Sequence, residues 1–287
     1  MFDLQGHRGA RGLRPENSLA GFRLAMALGV SSIELDVVLS ADGIPVVYHD
    51  LQLNPDTTRG PDGGWIAKPG PAIATLLASD LTAHDIGRLR PQTRHAARFP
   101  HQTAIDGEGI PRLEDACRLM LGSFVRLDIE IKADANLPDQ SQELVSLVEA
   151  VLAVVDATAG ADISFRSFDW RVLRHIRRSR PELPIAWLTA KGPRANAASV
   201  AAEVALHGWP TLPPVWAPDH RQLRKSDVAA ARARGLRVKP WTVNAPRRMR
   251  ELVAWGVDGI CTDRPDLART VLAEFGMALP PRVVVAR

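Results

Sequence analysis

Cysteine is scarce. The 287 residues hold two, Cys117 and Cys261. Two thiols so far apart make no disulfide framework, so both read as free thiols in a reducing compartment. Tyrosine occurs once, and aromatic residues make up 5% of the chain. The basic runs Arg174–Arg180 and Arg221–Arg237 therefore have little aromatic interleaving, and they read as solvated helix faces rather than a nucleic-acid surface. No uninterrupted apolar run reaches the roughly 18 residues of a membrane span. The apolar core of a signal peptide is missing as well. The expectation is a cytoplasmic protein with no stable membrane anchor. No G-x-G-x-x-G follows the first strand-like run, which weakens a dinucleotide-binding reading. No repeat, low-complexity tract or obvious linker interrupts the chain.

What is present is alternation. Short apolar strand-like runs such as "VSSIELDVVLS", "SFVRLDIEIK" and "ADISFRS" are separated by helical patterns such as "NSLAGFRLAMALG", "SQELVSLVEAVLAVV" and "PRRMRELVAWG". The first of those helices should stop at Gly29, and Pro246 should open another at its first position. Strand-helix alternation with short connections implies parallel strands and crossover helices. About eight units favour a closed (β/α)₈ TIM barrel, read as one catalytic domain over residues 1–287. Residues 51–109 break the rhythm. They are rich in Pro, Gly, Asp and Thr, with one short helical piece near "TAHDIGRLR", and read as an insertion capping one end of the barrel.

In such a barrel the chemistry sits at the C-terminal strand ends. Four of them stand out. "GHRGA" carries His7 and Arg8. "IELD" carries Glu34 and Asp36, two apart and so on one face of the strand. "YHD" carries His49. "DIEIK" carries Glu130 and Lys132, again on one face; Asp128 shares that face but reads as a deeper, hydrogen-bonded group outside the site. Three converging carboxylates cannot all ionise in a dry pocket without a compensating cation. Oxygen ligands of this kind suit one divalent cation, Mg²⁺ or Ca²⁺. With Arg8 and Lys132 beside it, such an ion would neutralise phosphate oxygens and developing charge. Two histidines across the centre can divide proton transfer between base and acid. The combination points to phosphodiester cleavage, and the mildly positive chain, net +4, would favour a small anionic substrate.

The stretch from His7 to Asp50, "HRGARGLRPENSLAGFRLAMALGVSSIELDVVLSADGIPVVYHD", closely resembles the opening of the glycerophosphodiester phosphodiesterase family. "IPRLEDACRL", "LDIEIK", "ISFRSFDWRVLR", "VKPWTVN" and "GICTDRPDL" resemble later family blocks, in family order. The resemblance spans nearly the whole chain. It implies a TIM barrel with a small inserted subdomain after the second strand unit. It implies Glu34, Asp36 and Glu130 as metal ligands and His7 and His49 as the acid-base pair. Arg8 and Lys132 would hold the phosphate, and Trp241 would line the pocket near the alcohol group. Glu16 would order the first loop. Ser18 stands where the family has Thr, and either residue caps the helix. Arg11 and Arg14 read as rim or surface charges. The implied reaction yields sn-glycerol 3-phosphate and an alcohol. A lysophospholipase D-like enzyme on the same scaffold is the alternative, with a non-catalytic phosphate-binding barrel behind it. Neither the oligomeric state nor the division of roles between the histidines is readable from the chain.

Overall fold

The computed structural model describes residues 2–134, 138, 141–192, 196–207 and 213–283. The expected helix and strand starts at Arg194–Ala195 and Thr211–Leu212 lie outside them. The strands are β1 (Asp3–Gly6), β2 (Ser32–Leu39), β3 (Pro45–Val47), β4 (Arg126–Ile131), β5 (Ile163–Ser167), β6 (Ile185–Thr189), β7 (Val215–Pro218), β8 (Arg237–Val238) and β9 (Gly259–Thr262). The helices are α1 (Leu19–Leu28), α2 (Ala78–Thr82), α3 (Arg94–Arg98), α4 (Leu113–Met120), α5 (Gln142–Ala157), α6 (Trp170–Ser179), α7 (Ala197–His207), α8 (Lys225–Arg232), α9 (Pro246–Trp255) and α10 (Pro265–Glu274).

Among the described residues eight parallel strands run in the order β8-β7-β6-β5-β4-β2-β1-β9. The two ends of that order meet. Asp258 N–H donates to the Val238 carbonyl at 2.8 Å and Cys261 N–H to the Pro240 carbonyl at 3.0 Å. The result is the nearly closed barrel that the alternation implied. β3 is the exception: it pairs antiparallel with β2, with Val37 opposite Val47, and stands outside the parallel ring. Register aligns the acidic residues of β2 and β4. Asp36 lies opposite Glu130 and Glu34 opposite Asp128. The period-two alternation of both strands therefore sends all four carboxylates into the barrel lumen.

Local signals act as expected. Ser18 caps α1, accepting from the Gly21 N–H at 3.0 Å, and Gly29 ends it in the left-handed region at φ 85°. Pro246 opens α9. The helical piece expected near "TAHDIGRLR" is a correction. Helix α2 stops at Thr82, and residues beyond it turn. Asp85 exchanges two backbone hydrogen bonds with Arg59, at 2.8 and 3.0 Å. That pairing lets Leu81 and Ile86 both enter a second small core with Val38, Val46, Tyr48 and Leu53. The arginine-rich face of α6 is largely neutralised: Arg174 pairs with Glu203 at 2.6 Å, and Arg180 pairs with Asp156. Among the described residues no helix is long and apolar enough to cross a membrane.

Candidate active site

Glu34 and Asp36 on β2 and Glu130 on β4 meet in the lumen. One carboxylate oxygen of each lies within 4.8 Å of the others. All three are buried. Burial pushes the Glu34 carboxyl up to about 8, and the neighbouring charges of Asp36 and Glu130 add to the effect. Burial acts on Asp36 in the same sense, but Arg8 and Lys132 outweigh it and hold that carboxyl well below its ordinary range. Lys132 Nζ stands 2.9 Å from Asp36 Oδ1 and also contacts Glu130, and Arg8 Nε stands 2.9 Å from Asp36 Oδ2. Glu34 Oε1 is buried and has no hydrogen-bond partner among the described residues. An orphaned carboxylate oxygen in an all-oxygen donor set fits a hard divalent cation. Glu34, Asp36 and Glu130 thus form a group that could hold a metal ion.

The first loop is built to reach this point. Arg8 and Gly9 both take left-handed backbone, at φ 49° and 87°. That turn aims the Arg8 N–H at Glu34 Oε2, 2.9 Å away. A Cβ on Gly6 would fall 2.1 Å from the Gly9 carbonyl oxygen, so only glycine permits the loop to close. Asn17 Nδ2 donates to Asp36 Oδ2 at 2.9 Å. Glu16 receives Arg8 Nη1 at 2.7 Å and orders the loop.

His7 is buried, with its Nδ1 2.7 Å from Asp263 Oδ1 and its Nε2 3.8 Å from Glu34 Oε2. Burial lowers its pKa to about 4, and Arg11 adds to that, against the pull of Asp263. Asp263 is held well below its ordinary value: burial would raise it, but His7 and Arg11 prevail. An ionised Asp263 can only accept, so Nδ1 carries the proton and Nε2 presents a lone pair toward the carboxylates. His49 Nδ1 is bound to Asp50 Oδ1 at 2.6 Å.

These groups share one cleft of about 410 Å³, lined by His7, Arg8, Glu34, His49, Glu130, Lys132 and Trp241. Asp36 is paired with two of these lining residues, Arg8 and Lys132. Trp241 donates its indole N–H to the Ala217 carbonyl at 2.9 Å and meets Phe168 edge to face at 5.2 Å. The structure thus brings all eight sequence-selected residues to one place.

Arg11 is the correction. It is no rim or surface charge: it is 6% exposed and binds Asp263 through Nε at 2.9 Å and Nη2 at 3.2 Å. The loop returns to the residues that follow β9, where the Gly12 N–H donates to the Asp263 carbonyl at 2.9 Å and Arg11 supplies a full positive charge to the buried Asp263 carboxylate. Asp263 and its further partner Asn244, 2.6 Å away, were missed. The signal was available, because Asp263 sits at the C-terminal end of a barrel strand. Phe168, just past the end of β5, was missed in the same way.

A barrel with an acidic cluster flanked by imidazoles and cations at its C-terminal rim defines a phosphoric diester hydrolase. The family model described as "Glycerophosphoryl diester phosphodiesterase family" matches residues 7–267. A glycerophosphodiester phosphodiesterase of Bacillus subtilis (strain 168) is 27% identical over 267 residues, covering 92% of this chain and 84% of its own length. One of Caldanaerobacter subterraneus subsp. tengcongensis is 29% identical, covering 94% and 97%. A solved structure from Silicibacter pomeroyi DSS-3, assigned as a glycerophosphoryl diester phosphodiesterase, has a TM-score of 0.88 at 34% identity and covers 97% of this chain and 95% of its own. An Oleispira antarctica phosphodiesterase, solved with the product sn-glycerol-3-phosphate, shares the fold at a TM-score of 0.74 and 23% identity, covering 94% and 96%. The chain belongs to the glycerophosphoryl diester phosphodiesterase family.

Proposed function

We propose that this enzyme hydrolyses glycerophosphodiesters to sn-glycerol 3-phosphate and an alcohol, with one divalent cation and two histidines. The observation that carries this is the meeting of three buried carboxylates below a cleft that His7 and His49 both line. Glu34, Asp36 and Glu130 would hold Mg²⁺ or Ca²⁺. When bound, such an ion supplies Lewis-acid neutralisation of a phosphoryl oxygen.

The chain's own residues do the rest. Arg8 and Lys132 turn from their carboxylates onto the phosphate. His7, neutral at physiological pH, accepts the nucleophile's proton at Nε2, while Asp263 fixes its tautomer. The nucleophile is a water or the adjoining glycerol hydroxyl. His49, steadied by Asp50, delivers a proton to the leaving oxygen. Trp241 and Phe168 form the wall along which the alcohol leaves. Residues 51–109 act as a cap on the barrel, and their α3 brings His95 and Arg98 to the cleft. The two cysteines are free and buried, in keeping with a reducing, cytoplasmic setting.

The test is release of sn-glycerol 3-phosphate from glycerophosphocholine and glycerophosphoethanolamine, and of lysophosphatidic acid from lysophosphatidylcholine, with Mg²⁺, Ca²⁺ or EDTA. We expect EDTA-sensitive release from the glycerophosphodiesters. His49→Ala should reduce it by about 10²- to 10⁴-fold in folded protein. Turnover of lysophosphatidylcholine alone would instead support the lysophospholipase reading.

A further inference from the structure

Six cationic side chains line the cleft: Arg8, Arg11, Arg98, Lys132, Arg166 and Arg221. Five have a carboxylate partner. Arg8 meets Glu16 and Asp36, Arg11 meets Asp263, and Lys132 meets Asp36 and Glu130. Arg166 meets Asp128 at 3.4 Å, and Arg221 meets Asp219 at 2.7 Å. Arg98, the last residue of α3, has no carboxylate partner among the described residues. Its guanidinium carbon stands 5.6 Å from the centroid of Phe99. Arg11 stands 4.7 Å from that same ring, and Phe99 itself is buried. The guanidinium itself therefore rests near an aromatic ring, with no carboxylate among the described residues to neutralise it.

The carboxylates at the mouth show the opposite condition. Asp50 is bound by His49 and Asn54, Asp219 by Arg221, and Glu16 by Arg8. No lining carboxylate outside the metal group is without a partner among the described residues. The mouth thus offers a spare cation and no spare anion. The phosphoryl charge of a diester is met at the floor, by Arg8, Lys132 and the metal group. An ammonium on the departing alcohol would find an aromatic face at Trp241 and Phe168. An anion on an alcohol that extends to Arg98, on the lining of the same cleft, would find a partner there.

We propose that Arg98 makes the enzyme prefer glycerophosphodiesters whose alcohol carries an anionic group, a carboxylate or a phosphate. This rests on the phosphodiesterase reading above. Arg98 is a specificity residue at the mouth of the cleft, contributed by the capping segment, and takes no part in bond cleavage.

Two substrate pairs isolate the charge. Glycerophosphoserine is glycerophosphoethanolamine with one added carboxylate. Glycerophosphoinositol 4-phosphate is glycerophosphoinositol with one added phosphate. The measurement is kcat/KM for each member, in wild type, Arg98→Gln and Arg98→Lys. An exposed ion pair supports a preference of about three- to fivefold for the anionic member of a pair. Arg98→Gln should bring that ratio to about one, chiefly through KM, and Arg98→Lys should restore part of it. Raising the salt should narrow it in wild type. Preference in either pair that follows Arg98 in this way supports the proposal, and the responding pair names the anion. A ratio near one in both pairs, or a preference that Arg98→Gln leaves intact, overturns it while the phosphodiesterase reading stands. No release from any of the four substrates removes both.

Discussion

His7 Nδ1 lies 2.7 Å from Asp263 Oδ1. The contact joins the loop after β1 to the end of β9, neighbouring strands whose register sets Gly6 opposite Thr262. It fixes the tautomer of an imidazole whose other nitrogen faces Glu34. Asp263→Asn should lower kcat by about 10²-fold or more with little change in KM, because the amide can present its N–H to Nδ1 and turn the proton toward Nε2. Steady-state kinetics beside a thermal melt will check it. Unchanged kcat would remove Asp263 from the account.

Arg11 gives that contact a pH signature. Burial and the Arg11 guanidinium together bring His7 to about 4. The acid limb of kcat/KM, which reports the free enzyme, should therefore lie near that value. Arg11→Met removes a cation beside the ring and leaves Asp263 less compensated. Both changes favour the imidazolium, so the limb should move up, toward the ordinary histidine value of about 6.5. A pH profile of both proteins decides this.

Deeper in the lumen, Asp128 joins Lys239 at 3.0 Å, Gln5 at 2.7 Å and Ser164 at 3.0 Å. Among the described residues, Asp128→Leu would leave Lys239 with Asp3 as its only carboxylate, and Arg166 with none in contact. Breaking a buried pair from one side costs about 3 kcal/mol or more. The urea midpoint should fall accordingly, while the metal group above keeps its ligands.

Gly6→Ala should act on function through shape alone. Its Cβ would meet the Gly9 carbonyl at 2.1 Å, so the loop must shift and carry the Arg8 N–H away from Glu34. Activity should drop by more than tenfold, by analogy with the cost of misplacing a reacting group by about 1 Å. Equal activity would mean that the loop tolerates the shift.

The barrel and its acidic group were legible because both follow from short-range periods. Alternation of two put Glu34 with Asp36 and Glu130 with Lys132 on shared faces, and the barrel rule put those faces at one rim. His7 and His49 stood out at the ends of strand-like runs, and Trp241 came through a family block. What stayed hidden depends on contacts between distant parts of the chain. Nothing near "GARGL" announces that Arg11 will be buried against Asp263, 252 residues away. Charge alone reads as surface, and only the closure of β1 against β9 makes it interior. The "TAHDIGRLR" segment failed for a related reason. Its bridge partner, Arg59, lies in another part of the insertion and outweighs the local helical pattern. The antiparallel turn of β3 likewise depends on pairing that composition does not encode.

The central claim is that three carboxylates from two strands bind one divalent cation. Titration calorimetry of EDTA-treated protein with Mg²⁺ and Ca²⁺ tests it without reference to turnover. The account predicts one site per chain in wild type, lost or weakened by at least tenfold in both Glu34→Gln and Glu130→Gln, with the fold retained. Unaltered binding in those variants, or wild-type protein that takes up neither ion, would contradict it.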